Sequence, residues 1–228
     1  KFEAAVEFLQ KALEIEYDDT VAFELATILY DQKEYQKANL YFKQIDTISQ
    51  DFEGYEYGYA LSLHAEHQAE EALRLTQQGL LKNPFDTRLL LLASQLSYEL
   101  HDEQKAEEYL LQAQENAEDE EEIVLRLTNL YVQQERFDEV LAFEERDVDN
   151  VLTKWNIARA YQALEHTTAA LERYSLLLSD LQENPEFLEQ YIYLLREMGE
   201  FEKAKHQAEH YLHLVPDDVE MQELYDSL

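Results

Sequence analysis

His206, His210 and His213 follow one another at steps of four and three, a spacing that sets three imidazoles on one side of a helix, where they could ligate a metal ion. A zinc hydrolase would place a glutamate beside such a pair in the order His-Glu-x-x-His, and that order occurs nowhere in the chain. His64 and His67 form a weaker pair of the same kind. The run Glu118-Asp119-Glu120-Glu121-Glu122 offers carboxylates, but it lacks the regular oxygen spacing and central glycine of a calcium loop. It reads instead as a helix start, where negative charge meets the positive end of the backbone dipole. There is no cysteine, which removes thiolate nucleophiles, cysteine zinc clusters and disulfides together. No Ser or Thr sits in a nucleophile elbow or a glycine-rich phosphate loop. The sequence therefore predicts no catalytic residue, no metal site, no cofactor and no enzyme activity.

The composition points the same way. Of 228 residues, 46% are apolar and 12% aromatic, enough for a sizeable core. Four Gly and three Pro are too few for a many-stranded β protein, so the expected class is all-α. Fifty Asp and Glu against eighteen Lys and Arg give a formal charge of −32, which repels phosphate backbones and anionic lipid headgroups. Nucleic acid and membranes are thus poor partners, and so acidic a surface serves either solubility or the attraction of a protein or peptide with basic segments, two readings that composition does not separate. The longest uninterrupted apolar stretch, Leu89 to Ala93, is far short of the ~18 residues of a membrane span, and a cytoplasmic location is expected.

What must position any functional residue is a repeat. Gly199 ends one helix, Phe201, Ala204, Ala208 and Tyr211 share a face of the next, and Pro216 closes it. Aligned on Ala204, the chain has anchors at Ala5, Ala38, Ala72, Ala106, Val140, Ala170 and Ala204, separated by 33, 34, 34, 34, 30 and 34 residues. A period near 34 predicts stacked helical hairpins. The expected helices are 2–16, then pairs at 20–32 and 35–49, 53–66 and 68–82, 86–101 and 103–116, 119–134 and 136–146, 150–164 and 166–182, 185–198 and 200–214, and a last helix over 217–227. Asn83-Pro84-Phe85-Asp86 and Glu183-Asn184-Pro185-Glu186 are turns between hairpins. The 30-residue step is one helical turn short, at Phe143-Glu144-Glu145-Arg146-Asp147-Val148-Asp149-Asn150.

The unit resembles the tetratricopeptide repeat (TPR), of the bacterial cytosolic type, along nearly the whole chain. Leu25-Ala26, Tyr30, Tyr35 and Phe42 flank Ala38; Tyr59-Ala60, Leu63 and Pro84 flank Ala72; Ala93-Ser94 and Tyr98 precede Ala106; Trp155, Ile157-Ala158 and Tyr161 precede Ala170; Tyr191-Ile192, Leu195, Gly199 and Pro216 surround Ala204. Val140, Thr128 and Ile192 depart from the small residues of the pattern. The resemblance implies one right-handed superhelical solenoid of about six hairpins over 1–228, with a partial N-terminal repeat at 1–18, a short irregular repeat near 136–150 and the start of a capping helix at 217–228.

It also implies a groove lined by the first helices of the repeats that holds a protein or peptide. Counting back from the anchors puts Tyr30, Tyr57, His64, Arg88, Gln95, Tyr98, Asn129, Trp155, Arg159, Gln162, Tyr193 and Arg196 on that surface. Aromatics give broad rigid contact, amides pair with an extended backbone, and arginines with carboxylates. In proteins of this kind the positions of Phe23 and Trp155 also pack within and between repeats. The Lys- and Asn-lined clamp of the chaperone-binding members is missing, because its sites hold Phe23, Tyr57, Leu91, Leu125, Trp155 and Glu189. The expected function is a non-catalytic scaffold or adaptor, with a peptide-sensing domain of a larger bacterial regulator as the alternative.

Overall fold

A computed structural model describes residues 2–46, 52–117, 119–146 and 149–228. The described residues form fourteen α-helices and no strand. They fall into two compact units, one over residues 1–118 and one over 119–228.

In the first unit α1 (Phe2–Ile15), α2 (Asp19–Asp31), α3 (Tyr35–Phe42), α4 (Tyr55–Ala65), α5 (Ala69–Lys82), α6 (Thr87–Glu99) and α7 (Glu103–Gln114) each pack against the next in sequence. In the second, α8 (Glu121–Gln133), α9 (Phe137–Leu141), α10 (Val151–Ala163), α11 (Thr167–Leu181), α12 (Pro185–Glu197), α13 (Phe201–Leu214) and α14 (Val219–Ser227) do the same, and α10 also packs on α8. Helix starts are fixed by side-chain caps: Asp18, Asp86, Asp102, Asn150, Asn184 and Asp218 each accept from backbone amides of the first turn, and Pro185 occupies the first helical position after Asn184.

The turn inside each hairpin repeats at the level of single dihedrals. Lys33, His67, His101, Glu135, Glu165 and Gly199 all lie five residues before an anchor, and all have φ between 58° and 76°. The amide after each of them bonds back to the carbonyl five residues earlier, as Glu200 N does to Leu195 O at 2.9 Å and Asp102 N to Ser97 O at 2.8 Å. This left-handed closure satisfies carbonyls that the helix end leaves free. Only the last copy uses glycine. The anchors Ala38, Ala72, Ala106, Val140, Ala170 and Ala204 are all buried, and so are Thr128 and Ile192, which serve the core in spite of departing from the pattern.

Two second helices are shorter than their spacing suggests. A helix is expected over 35–49, but α3 stops at Phe42, and its last carbonyl accepts the Tyr55 hydroxyl at 2.9 Å. Tight bonds of Gln44 N to Tyr41 O and Ile45 N to Phe42 O then turn the chain, burying Ile45; residues 47–49 lie outside those described. Rings of Phe23, Phe42, Phe52, Tyr55 and Tyr59 pack together there at centroid separations of 5.3–6.5 Å. The second case, α9, has five residues where α5, α7, α11 and α13 have 12–15. Turns through Arg146 follow it and fold Phe143 back onto Tyr131, with ring centroids 6.3 Å apart. Asp147 and Val148 lie outside the described residues.

Candidate partner-binding groove

The first helix of each hairpin carries the candidate residues: α2, α4 and α6 in the first unit, α8, α10 and α12 in the second. In the first unit the half-buried Tyr30 ring lies 5.6 Å from that of Tyr35, and burial, with Tyr35 and Tyr57 nearby, raises its hydroxyl pKa. The guanidinium of Arg88 sits 5.4 Å from the centroid of Tyr57. Arg88 is not available to a ligand carboxylate at no cost, because Nη2 already bonds Asp86 Oδ2 at 3.0 Å. Burial alone would raise the Asp86 carboxyl; the Arg88 side chain and the amides of Leu89 and Arg88 outweigh it and hold the group below the usual range. One acid links two further candidates: Glu99 Oε1 accepts from Gln95 Nε2 at 3.1 Å and lies 3.0 Å from His64 Nε2. Tyr98 beside it is 42% exposed.

In the second unit the first helices of the hairpins are joined by amides. Asn156 Nδ2 donates to Asn129 Oδ1 at 2.7 Å and to Thr128 Oγ1 at 3.1 Å, tying α10 to α8. Trp155 Nε1 donates to Gln190 Oε1 at 3.1 Å, tying α10 to α12. The buried Tyr174 hydroxyl of α11 lies 2.9 Å from the oxygens assigned to both Gln162 and Gln190. Indole can only donate, so Gln190 must present oxygen; a single phenol proton then goes to Gln190, and the Gln162 amide is turned to donate its nitrogen. Trp155 itself is buried and packs edge to face on Phe187 at 5.9 Å, with Arg159 over its ring at 5.6 Å. What the pair offers outward is the half-buried Arg159 and Gln162 on α10 and the exposed Tyr193 and Arg196 on α12.

Among the described residues neither Arg159 nor Arg196 forms an ion pair, whereas Arg74, Arg88, Arg126, Arg136, Arg146 and Arg173 all do. Counting back from the anchors missed Asn156 and Gln190, which both stand fourteen residues before their anchors, Ala170 and Ala204. The amide type at one repeat position in consecutive copies was the available signal.

The other candidate chemistry does not assemble. His206 and His213 are exposed, while His210 Nε2 lies 3.0 Å from the Gln182 carbonyl and 3.7 Å from Glu183 Oε1. No group of three or more His, Asp or Glu side chains suited to a metal occurs among the described residues. Of the acidic run, Glu118 lies outside the described residues, and Glu120, Glu121 and Glu122 sit at the N-terminal end of α8. No described helix is long and apolar enough to cross a membrane.

Stacked helical hairpins with buried anchors and a left-handed turn inside each hairpin are the TPR fold. More particularly, residues 152–218 match the family described as YpiA-like, C-terminal tetratricopeptide repeats. No curated protein matches in sequence. The C-terminal part of a TPR repeat-containing protein from Cytophaga hutchinsonii superposes with a TM-score of 0.79 at 16% identity, over 97% of this chain and 93% of that one. A TPR protein from Parabacteroides merdae gives 0.60 at 16% identity, covering 99% and 91%. YrrB, described as a TPR protein with an unusual peptide-binding site, gives 0.54 at 12% identity, covering 97% and 99%. At these identities the likeness is one of fold.

Proposed function

We propose that the chain is a non-catalytic scaffold or adaptor of the cytoplasm that captures an extended protein or peptide segment on its inner helices, α10 and α12 above all. The observation that carries this reading is the pair Arg159 and Arg196. On a chain with a net charge of −32, six of eight arginines are neutralised by neighbouring acids, and among the described residues these two, on α10 and α12, have no acid partner. A guanidinium beside Gln162 and Tyr193 suits a segment that presents a carboxylate and free backbone amides. Basic residues flanking that carboxylate would be steered by the acidic remainder of the surface. The resemblance in fold to YrrB, with its peptide-binding site, favours the same class of ligand.

The test is affinity capture from the source cell with the intact chain and with a triple variant, Arg159→Glu, Tyr193→Ala and Arg196→Glu. All three side chains are at least partly exposed, so helical circular dichroism should be unchanged. Loss of the captured partner by about tenfold or more, ~1.4 kcal/mol, is expected. Full retention of the same partner by a folded triple variant would place the contact elsewhere.

A further inference from the structure

The hydrogen bonds beneath Arg159 and Gln162 exceed what the buried groups require. Tyr174 is 0% exposed, and its single proton goes to Gln190 Oε1 at 2.9 Å, the oxygen that also accepts the Trp155 indole N–H. The contact with Gln162, also at 2.9 Å, therefore supplies nothing that the phenol proton needs. What it does is orient the Gln162 amide. A terminal amide torsion is broad and roughly two-fold, so a glutamine at a surface turns readily and presents either oxygen or nitrogen. Here the nitrogen is committed to the Tyr174 oxygen, and among the described residues the Gln162 side chain makes no other hydrogen bond. Its oxygen is thereby turned away from the buried phenol, toward solvent.

The arrangement belongs to one hairpin. Tyr174 stands four residues after its anchor, where the other copies have Leu9, Phe42, Thr76, Leu110, Glu144 and Ala208, none of them a phenol. On α10 Arg159 and Gln162 are three residues apart, the spacing of neighbours on one helix face, with Cβ atoms about 5–6 Å from each other. The surface thus pairs a guanidinium, which only donates, with an outward amide oxygen, which only accepts. An acidic residue in an extended segment complements both at once. Its side-chain carboxylate takes the guanidinium, and its own backbone N–H donates to Gln162.

We propose that Tyr174 is a positioning residue: by holding the Gln162 nitrogen it fixes the amide oxygen outward, and Arg159 with Gln162 then selects an Asp or Glu of the captured segment through its carboxylate and its backbone N–H together. This rests on the reading of α10 and α12 as the capture surface. The probe is the acetylated and amidated heptapeptide Lys-Thr-Val-Glu-Val-Thr-Lys, with one version N-methylated at the glutamate and one carrying glutamine there, each titrated into the intact chain by NMR. In the parent chain each alteration is expected to weaken binding about tenfold. Tyr174→Phe keeps the ring and frees the amide, whereas Gln162→Met keeps the side-chain length and removes the acceptor; circular dichroism checks that both fold. In both variants the penalty for N-methylation should fall to about twofold or less, while the penalty for glutamine stays near tenfold. A merely structural role for Tyr174 would weaken the three peptides alike. An N-methylation penalty that is absent from the parent chain, or unchanged in either variant, overturns the proposal and leaves the capture surface standing. Binding of the glutamate peptide that is undetectable, or unaltered by Arg159→Glu, overturns the capture surface and the proposal with it.

Discussion

The indole N–H of Trp155 donates to Oε1 of Gln190 at 3.1 Å, so the single tryptophan of the chain is tied to α12, the first helix of the next hairpin. The same oxygen lies 2.9 Å from the Tyr174 hydroxyl, and two aromatic donors thus depend on one amide.

Replacing that amide isolates the dependence. Gln190→Leu keeps much of the volume but removes the amide oxygen that the buried indole N–H and the Tyr174 hydroxyl share, and destabilisation by about 1–3 kcal/mol is expected. Urea unfolding followed by Trp155 fluorescence and by circular dichroism measures it. Stability equal to the parent chain would show that the bond contributes nothing net.

Tyr174 predicts an alkaline limit. Burial pushes its hydroxyl up to about 12 from the ordinary 10.0, although the indole of Trp155 acts in the opposite direction. The neutral phenol is favoured by the folded state, so its contribution is complete below pH 10, where the unfolded chain's tyrosines are also neutral. It is lost as the pH rises from there through about 12. Tyr211 adds to the same window, raised to about 12 by burial and by the bond to Asp218. Spectrophotometric titration should show a late-ionising class of tyrosines, and Tyr174→Phe should flatten the decline in stability above pH 10.

The repeated left-handed turn predicts a gain from glycine. His101 and Glu165 hold φ of 62° and 61°, which a side chain disfavours by roughly 1–2 kcal/mol before the greater chain entropy of glycine is set against it. His101→Gly and Glu165→Gly should each raise stability by about 0.5–1 kcal/mol. Gly199→Ala should lower it by about 1 kcal/mol, through conformation alone, since an added Cβ at Gly199 meets nothing within 4 Å. Thermal unfolding of the three variants decides it, and a loss in the first two would contradict the argument.

Gly79 reverses the usual helix rule. Alanine in a helix interior ordinarily gains close to 1 kcal/mol over glycine, but here the new Cβ would stand 2.8 Å from Leu89 Cδ1 and 3.0 Å from Glu56 Cβ. Gly79→Ala should therefore destabilise by about 1–3 kcal/mol. Increased stability would mean that α4 and α6 yield more easily than a packed core does.

Helical class, repeat period and hairpin order were legible because each depends on local spacing: a small residue every ~34 positions fixes where helices pack, and Asn or Asp before an apolar run fixes where they start. The length of α3 and α9 was not legible. Residues 35–49 contain good helix formers, but the helix ends where Tyr55, distant in sequence, takes the Phe42 carbonyl. The candidate surface was legible only as a stripe. Phase alone puts Trp155, Arg159 and Gln162 on one side of α10, but it takes neighbouring helices to bury the indole and to bring Gln190 to it. Sequence by itself determined the repeat, because helical periodicity is a property of the chain's own geometry. Tertiary structure decided which rings are buried and which amides pair from helix to helix, because both depend on what other helices bring within contact or hydrogen-bond reach.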